Sequence, residues 1–334
     1  MKALKPADLG QNLIEPQLTD EERFTIEAYL DASMADNTKR AYRAAWRGFT
    51  TYCSGKQTNS LPASVETLMA YATWLASRRA NKVATIEIKI NAIAYIHDKF
   101  GGTNARANNP TRDERFAAVM KGIRRKHKKA QAQKDPITSV ELEQMLRELP
   151  DDMAGQRDRA ILLMGFAGAL RRSEIVSLNV NDVRFSPDAM TIRLPYSKTD
   201  QEGEGATIKI PRVPARLQLC PVTALKTWLR DAEIEEGPLF RPFDRWGHPR
   251  KGRLTGQSVA LIVKRAAEMA GLDQKLFSGH SLRAGFITNA AQIDVPEWKI
   301  QRVSRHKSSA VLRRYIRAAD SAQCDAISDV FTQR

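Results

Sequence analysis

The second half of the chain carries a set of side chains that are suited to handling a phosphate. The set comprises two arginines, one lysine, two histidines and one tyrosine: Arg171, Lys198, His280, Arg283, His306 and Tyr315. A phosphodiester transfer needs fixed cations for the oxygens that gain charge, a base for the nucleophile and an acid for the leaving oxygen. A tyrosine nine residues after the last histidine could attack the phosphorus. The residue types therefore favour covalent phosphoryl transfer.

Two of these residues have neighbours whose spacing assists that chemistry. Arg171 stands three residues before Glu174, and on a helix the carboxylate would share a face with the guanidinium and orient it. His280 and Arg283 are one helical turn apart at the start of a predicted helix, so both project to one side. Gly279 allows close backbone approach there, and the amides of a helix N-terminus favour an anion. Both arginines are therefore predicted to face a phosphate.

Each residue also has an ordinary structural explanation. A lone arginine is an exposed helix residue, a lone lysine solvates a hairpin turn, and a histidine at a helix start is a cap. Tyr315 has the strongest such alternative, because Leu312, Ile316 and Ala319 lie at helical spacing from it and favour a core tyrosine. Against this alternative, residues 299–317 contain seven Lys and Arg and no acid, and clustered cations lower the pKa of a phenol from about 10. Only the joint pattern is specific.

Hydrophobic periodicity predicts an all-helical first domain over residues 19–127, preceded by a loose arm over residues 1–18. Apolar positions recur at helical spacing in this domain, and no segment of it alternates at period two. Residues 121–134 then hold seven Lys and Arg and no acid, and Pro136 discourages the continuation of a helix. We interpret residues 128–136 as a basic linker that lies along phosphates, with a passive tether as the alternative.

Residues 137–334 are predicted to form a mixed domain that holds the six residues. Thr138 and Glu141 form a capping box before a helix, and residues 158–170 are apolar enough to be a buried helix. Three short strands are predicted at residues 182–185, 190–194 and 207–211, with Lys198 in the turn between the second and the third. Further helices are predicted at residues 222–232, 255–270, 281–292, 296–304 and 309–317. The fold class is therefore mainly α with a small antiparallel β-sheet.

Composition indicates a polyanionic partner. The 53 Lys and Arg against 38 Asp and Glu give a net charge of +15 and an isoelectric point near 9.8. No apolar run reaches the ~18 residues of a membrane-spanning helix, so nucleic acid is favoured over a membrane, with a merely basic protein as the alternative. Three widely separated cysteines argue against a disulfide framework and a zinc site. We expect a cytoplasmic DNA-binding protein that needs no metal and no cofactor.

The combined motifs resemble one known family. The order Arg-x-x-Glu, lysine, His-x-x-Arg and His followed by Tyr after eight residues is similar to that of the tyrosine recombinases, also called the phage integrase family. The resemblance extends from about Asp36 to about Val330. Residues 277–285, 314–321 and 85–126 are most similar to the Cre-like members. It implies a helical core-binding bundle and a mixed catalytic domain that together form a C-shaped clamp on DNA.

The resemblance also implies a role for each site residue. The two arginines would clamp the scissile phosphate, Lys198 would protonate the leaving 5′-oxygen, and His280 would accept the proton of Tyr315. Tyr315 would form a 3′-phosphotyrosyl link that conserves the energy of the ester without ATP. His306 stands where the family has His or Trp, and Trp is found in Cre-like members. Arg305 departs from the family, because many members have Gly there.

The partners that the resemblance implies are double-stranded DNA and further copies of the chain. The protein would bind paired inverted half-sites and exchange strands through a Holliday junction in a homotetramer assembled from free monomers. The apolar residues Ile327, Val330 and Phe331 lie in residues 321–334, which would dock into the neighbouring protomer.

Several polar residues are further candidates for contacts to DNA. The candidates outside the catalytic set are Lys82, Thr85, Lys89, Arg124, Arg125, Lys128, Arg253 and Gln257. Arg253 would bind a phosphate. Cre-like members place a guanine-reading arginine where this chain has Gln257, and since glutamine pairs with adenine we expect an adenine preference there. The alternative is a glutamine that merely solvates the helix start.

Other functions share this chemistry or this fold. A DNA-relaxing topoisomerase and a telomere resolvase use the same attack, but both normally carry additional domains. A non-catalytic DNA-binding protein could keep the fold, although an intact set of charged residues argues against it. A site-specific recombinase is the favoured interpretation.

Overall fold

The computed structural model describes residues 34, 36–102, 104–127, 134–194, 205–306 and 312. The chain divides into two compact units between Gln131 and Ala132. Among the described residues, no helix is long and apolar enough to cross a membrane. Lys128, Lys198, Tyr315, the predicted arm and the segment 321–334 lie outside the described residues.

The first unit is helical throughout its described part, as predicted. Its helices are α1 Asp36–Lys56, α2 Val65–Ser77, α3 Val83–Phe100 and α4 Glu114–Lys126, with a short 3₁₀ helix at Pro110–Arg112. Helix α2 begins after Ser64, whose hydroxyl accepts a hydrogen bond from the amide of Thr67 at 3.1 Å. The apolar faces meet in one core that includes Phe49, Leu68 and Ile86.

The second unit combines helices with one sheet. Its helices are α5 Ser139–Arg147, α6 Met153–Ala167, α7 Arg172–Ser177, α8 Pro221–Asp231, α9 Gly256–Met269, α10 Ser281–Gln292 and α11 Glu297–Ser304. Two 3₁₀ helices lie at Val180–Asp182 and Pro214–Leu219. The predicted capping box is confirmed, because Thr138 accepts from the amide of Glu141 while the carboxylate of Glu141 accepts from the amide of Thr138.

The sheet is antiparallel in the order β1 Val183–Phe185, β2 Ala189–Leu194 and β3 Ala206–Pro211. Ile192 pairs with Ile208 across β2 and β3, and both side chains are buried in the core of the unit. The fold class predicted from the sequence is thus confirmed. By chain order Lys198 belongs to the connection between β2 and β3, which lies outside the described residues.

Helices α6 and α10 pack together at the centre of this unit. Gly165 on α6 faces Leu282 on α10, and a Cβ at residue 165 would press against that leucine. Gly285 lies against the carbonyl of Ile137, whose amide donates to the carbonyl of Ser281 at 3.0 Å. The two glycines let α10 pack closely between α6 and the chain entering the unit. This packing fixes the first turn of α10, which carries Arg283.

The structure also contains elements that the sequence did not predict. Helix α6 begins at Met153 because Asp152 accepts from the amide of Gly155 at 2.8 Å, so the predicted start at residue 158 was five residues late. The short helix α7 and the 3₁₀ helix at Pro214–Leu219 were not predicted. Within the predicted apolar run, Asp158 is buried between Arg157 and Arg265 and pairs with both.

Candidate active site

Four of the six predicted residues lie close together in the second unit. Nη2 of Arg283 is 3.3 Å from Nε2 of His306, and burial, followed by the charges of Arg283 and Arg171, lowers the pKa of both His280 and His306. Arg171 stands at the start of α7, His280 and Arg283 at the start of α10, and His306 just after the end of α11. The fold therefore brings two cations and two imidazoles from distant parts of the sequence to one site.

Arg171 pairs with Glu174, but in a different way from the one predicted. We expected both residues on one helical face, whereas Arg171 is the N-cap of α7 and has extended backbone angles of φ −75° and ψ 151°. The carboxylate of Glu174 turns back over the helix start, where Oε2 accepts from the amide of Arg171 at 2.8 Å and Oε1 from its Nη1 at 2.5 Å. The pair is a capping arrangement, and it fixes both the backbone and the guanidinium of Arg171.

Glu174 is a buried carboxylate shared by two arginines. It is 2% exposed, and its Oε2 also accepts a hydrogen bond from Nη2 of Arg305 at 2.8 Å. Burial alone would raise the pKa of this carboxyl, but Arg305 and then Arg171 counteract burial, and the pKa lies below its ordinary value. Glu174 is therefore ionised at neutral pH and can orient both guanidinium groups.

Arg283 is fully enclosed in the first turns of α10. Its side chain is 1% exposed, and Nη1 donates to the carbonyl of Ala169 at 2.7 Å. Ala169 follows α6 with a positive φ of 43°. A buried arginine costs stability unless its donors are paired, so this carbonyl anchors the guanidinium in a defined position.

His306 follows α11 and is held at both its ring and its backbone. Gln301 donates from Nε2 to the carbonyl of His306 at 2.8 Å, and Nδ1 of the ring lies 2.9 Å from Oγ of Ser304. Burial lowers the pKa of His306 to about 4, and Arg283, Arg171, His280 and Arg305 add to the effect. The imidazole is therefore neutral at pH 7 in the absence of an anion.

His280 occupies the N-cap position of α10 without making a side-chain cap hydrogen bond. The residue is exposed to solvent. Surrounding protein and then the charges of Arg283, Arg171 and Arg172 lower the pKa of its imidazole. A neutral imidazole can accept a proton, and an accessible one can meet a substrate group. The alternative, in which the imidazole of His280 caps the helix with a hydrogen bond, is therefore not what the structure shows.

Two residues of the site were missed by sequence reasoning. Arg172 packs its side chain onto Gly279, where a Cβ would collide with Cγ and Cδ of the arginine. Gly279 thus makes room for a side chain, whereas we expected it to allow a close backbone approach. Arg305 is the second missed residue, and its replacement of the glycine that many family members carry was the available signal.

The candidate DNA-binding residues of the first unit lie on its surface. Lys82 and Thr85 are exposed at the start of α3, while Ile86 is buried. Lys89 lines a groove of about 730 Å³ between α1, α2 and α3, whose other basic side chains include Arg47. The distribution of polar and apolar residues on α3 is therefore as predicted.

The basic residues of α4 divide into two kinds. Arg124 forms an ion pair with Glu87 on α3, with 2.8 Å between Nε and Oε1. Arg125 is exposed on the same helix. A phosphate would have to compete with the carboxylate of Glu87 for the guanidinium of Arg124. The predicted phosphate contact of Arg125 does not face that competition and stays a prediction.

In the second unit, the two candidate DNA contacts also differ. Gln257 is exposed in the first turn of α9, which Thr255 caps by accepting from the amide of Ser258 at 3.1 Å. The guanidinium of Arg253 donates to the carbonyls of Val176 and Leu178, at 2.6 and 3.1 Å.

Arg253 also donates to Oδ1 of Asn179 at 2.6 Å. These three bonds give Arg253 a role in the fold that the sequence did not reveal. Arg250 and Lys251 are exposed in the same turn, so they are the better candidates for the phosphate contact that was predicted for Arg253.

Within the part of the chain that the structure describes, no group of three His, Cys, Asp or Glu side chains could hold a metal ion. Cys53 and Cys220 are buried free thiols in separate units. The described part of the site is thus a set of cations and neutral imidazoles around one carboxylate.

Comparison with known proteins identifies relatives of the chain. The family model described as the phage integrase family matches residues 136–322. An integrase/recombinase xerD homolog of Selenomonas ruminantium is 39% identical over 321 residues, covering 95% of this chain and 92% of that protein. A tyrosine recombinase of Synechococcus elongatus is 30% identical over 307 residues, with 87% of each chain covered.

One solved structure shows the same fold. The crystal structure of the XerH site-specific recombinase bound to palindromic difH substrate, a post-cleavage complex, aligns with a TM-score of 0.57 at 17% identity. The alignment covers 80% of this chain and 72% of that chain. The resemblance to the Cre-like members in particular stays a prediction.

Proposed function

The chain belongs to the phage integrase family and is a site-specific recombinase of the tyrosine type, and from this premise we propose that Tyr315 is its nucleophile. The phenolate attacks the scissile phosphate of one DNA strand and displaces the 5′-oxygen. One P–O bond forms as another breaks, so the 3′-phosphotyrosyl link conserves the energy of the ester. The reaction then needs neither ATP nor a metal ion.

The observation that carries this proposal is that one network of hydrogen bonds, through Glu174, Arg305 and the carbonyl of Ala169, joins Arg171 to Arg283, which lies 3.3 Å from His306. Charge on the non-bridging oxygens increases in the transition state, and fixed guanidinium groups stabilise it. Glu174 fixes the first arginine and the carbonyl of Ala169 fixes the second. Preorganised cations of this kind favour the transition state because they need no reorientation as the charge develops.

The two histidines support proton transfer and phosphate binding. The lowered pKa of His280 keeps its imidazole neutral at pH 7, so it can take the proton of the attacking phenol. His306 would hydrogen-bond a phosphate oxygen beside Arg283 once its ring proton is on Nε2 and no longer on Nδ1. Lys198 would donate a proton to the leaving 5′-oxygen. This role is based on the position of the lysine between β2 and β3 in the chain and on the family resemblance. Lys198, which would donate that proton, lies outside the described residues.

The proposed assembly follows from the chemistry of strand exchange. Four active sites cleave and rejoin two duplexes through a Holliday junction, and each duplex presents a pair of inverted half-sites. The segment 321–334 would dock its apolar residues Ile327, Val330 and Phe331 into a neighbouring copy and link the four sites. A relative of the same fold is bound to a palindromic substrate, which is consistent with inverted half-sites.

The proposed DNA interface uses both units. Lys82, Thr85 and Lys89 on α3 and Gln257 at the start of α9 would face the major groove. Arg125, Arg250 and Lys251 would lie along phosphates, because exposed basic side chains fix the position of DNA without reading its sequence. By the sequence prediction of a basic linker, Lys128 would join them.

A plasmid assay tests the function as a whole. Target sites are first selected from a random DNA pool, and the protein is then incubated with supercoiled plasmids that carry two sites, one site or none. A recombinase should release separate product circles from the plasmid with two sites and from neither of the other plasmids. Relaxation of all three plasmids would indicate a topoisomerase, hairpin ends would indicate a telomere resolvase, and bound but uncut DNA would indicate a non-catalytic protein.

A further inference from the structure

Arg305 has a conformation and a location that need an explanation. Its backbone is left-handed, with φ 57° and ψ 40°, a region that residues other than glycine rarely adopt. Its side chain is only 11% exposed and points into the site and not toward solvent. A glycine would adopt this backbone conformation without strain. The interactions of the arginine side chain must therefore offset the cost of the left-handed backbone.

The guanidinium of Arg305 connects three segments of the second unit. Nη1 donates to the carbonyl of Gly168 at 3.1 Å and to that of Val303 at 2.6 Å. Nη2 donates to the carbonyl of Ala169 at 3.3 Å and to Oε2 of Glu174 at 2.8 Å. The end of α6, the start of α7 and the end of α11 are thus tied together by one side chain.

Two of these acceptors also hold the arginines that we assign to the phosphate. Glu174 receives Nη1 of Arg171, and the carbonyl of Ala169 receives Nη1 of Arg283. Arg305 therefore shares one acceptor with each of them. A displacement of Arg305 would therefore disturb the buried carboxylate of Glu174 and the backbone carbonyl of Ala169. Through these two acceptors it would also disturb the guanidinium groups of Arg171 and Arg283.

We propose that Arg305 is a positioning residue, which sets the spacing between Arg171 and Arg283 and holds the loop of His306 against them. This inference rests on the proposed function, because the two arginines must bind the scissile phosphate for their spacing to matter. Arg305 does not itself need to contact DNA. Its fork binds the carboxylate and the carbonyl together, which a lysine, with a single ammonium nitrogen, would do less well.

The test compares Arg305→Gln with Arg302→Gln. Both variants lose one positive charge from the same helix end, but the side chain of Arg302 is exposed whereas that of Arg305 is 11% exposed. The rate of covalent complex formation is measured on a nicked site selected from the DNA pool, beside half-site affinity and thermal unfolding. We expect Arg305→Gln to react about tenfold more slowly, the scale for coupled neighbours, with half-site affinity within about twofold of the parent. Arg302→Gln should react at the parent rate.

A double-variant cycle separates positioning from simple stabilisation of the fold. If Arg305 acts through Glu174, adding Arg305→Gln to Glu174→Gln should slow the reaction by less than about threefold further. Arg305→Lys keeps the charge without the fork and should fall between the parent and Arg305→Gln. It also gives a result if Arg305→Gln fails to fold.

Three results would overturn the inference alone: an unchanged rate in Arg305→Gln, an equal loss in Arg302→Gln, or full additivity with Glu174→Gln. A parent rate in Arg305→Lys would overturn the role of the fork. A parent protein that forms no covalent complex would instead contradict the proposed function, and the inference with it.

Discussion

Arg283 donates a hydrogen bond from Nη2 to Nε2 of His306 over 3.3 Å. A guanidinium has donors and no acceptor, so Nε2 must supply the lone pair in this bond. The proton of the neutral ring is then on Nδ1, which donates to Oγ of Ser304 at 2.9 Å. Burial and then the charge of Arg283 keep His306 neutral, and the hydrogen bond from Arg283 selects its tautomer before DNA binds. A phosphate oxygen that accepts from Nε2 would have to reverse this arrangement.

The lowered pKa of His306 predicts a pH dependence of stability. The unfolded chain binds a proton near pH 6.5, whereas the folded protein does so near pH 4. Above both pKa values the neutral ring contributes fully to the free energy of unfolding, and that contribution is lost as the pH falls from about 6.5 toward about 4. Denaturant unfolding of the parent should therefore lose more free energy between about pH 7 and about pH 4.5 than that of His306→Gln. His97 titrates in both proteins and cancels in this comparison. Parallel curves would show that His306 has an ordinary pKa.

Loss of either clamp arginine should slow DNA cleavage strongly. Arg171→Ala and Arg283→Ala should each lose ~10² or more in rate, the scale for removing one preorganised stabiliser of transition-state charge. Arg184→Ala, which removes an exposed arginine from β1, is the matched control and should cleave normally. Arg283→Ala should also unfold more easily, by about 1.5–3 kcal/mol, the scale of one hydrogen bond from a charged donor, because the carbonyl of Ala169 then keeps only the longer bond from Arg305. Cleavage within threefold of the parent in either variant would exclude that arginine from the clamp.

The exposed position of Gln257 allows a test of direct base reading. Glutamine can pair with N6 and N7 of adenine, a preference worth ~1–3 kcal/mol, whereas arginine pairs with guanine. Gln257→Arg should therefore change the selected base from adenine to guanine at one symmetric position of each half-site. Lys251→Ala is the control, because it should weaken all sequences alike and reduce the salt dependence of binding. An identical consensus from the parent and Gln257→Arg would rule out direct readout by this residue.

Local sequence signals predicted much of the fold. The capping box at Thr138, the buried strand pair around Ile192 and the helix from Ser281 to Gln292 are set by neighbouring residues, and each was predicted close to its observed bounds. The motif residues of the site were proposed from spacing within single helices and turns in the same way, and their roles stay predictions.

The sequence could not predict contacts to backbone carbonyls across long separations. Arg305 binds carbonyls more than 130 residues earlier in the chain, and Arg253 binds carbonyls more than 70 residues earlier. Any arginine can donate to any carbonyl, so no residue type marks the acceptor. Arg171 was misplaced within its motif for a related reason, since three-residue spacing fits a capping pair as well as a helical face.

Lys198 has a test that depends on the leaving group. Lys198→Ala should cleave ordinary DNA poorly, because no acid protonates the departing 5′-oxygen. A substrate whose 5′ bridging oxygen is replaced by sulfur should restore the rate, since a thiolate leaves without a proton. Arg171→Ala should not be restored by the same substrate, because its defect concerns the non-bridging oxygens. A failure to restore Lys198→Ala would remove the lysine from the role of general acid.

The covalent link to Tyr315 is the central claim, and one denaturing gel tests it directly. The parent, Tyr315→Phe and, as a control, Tyr95→Phe in the first unit are incubated with a labelled suicide substrate, and protein that migrates with the label is cut out and digested. Tyr315→Phe loses only the attacking oxygen, so it should bind the site like the parent and give no labelled protein. The parent and Tyr95→Phe should give one labelled peptide that contains Tyr315. Labelled protein from Tyr315→Phe, or a label on any other residue of the parent, would contradict the account.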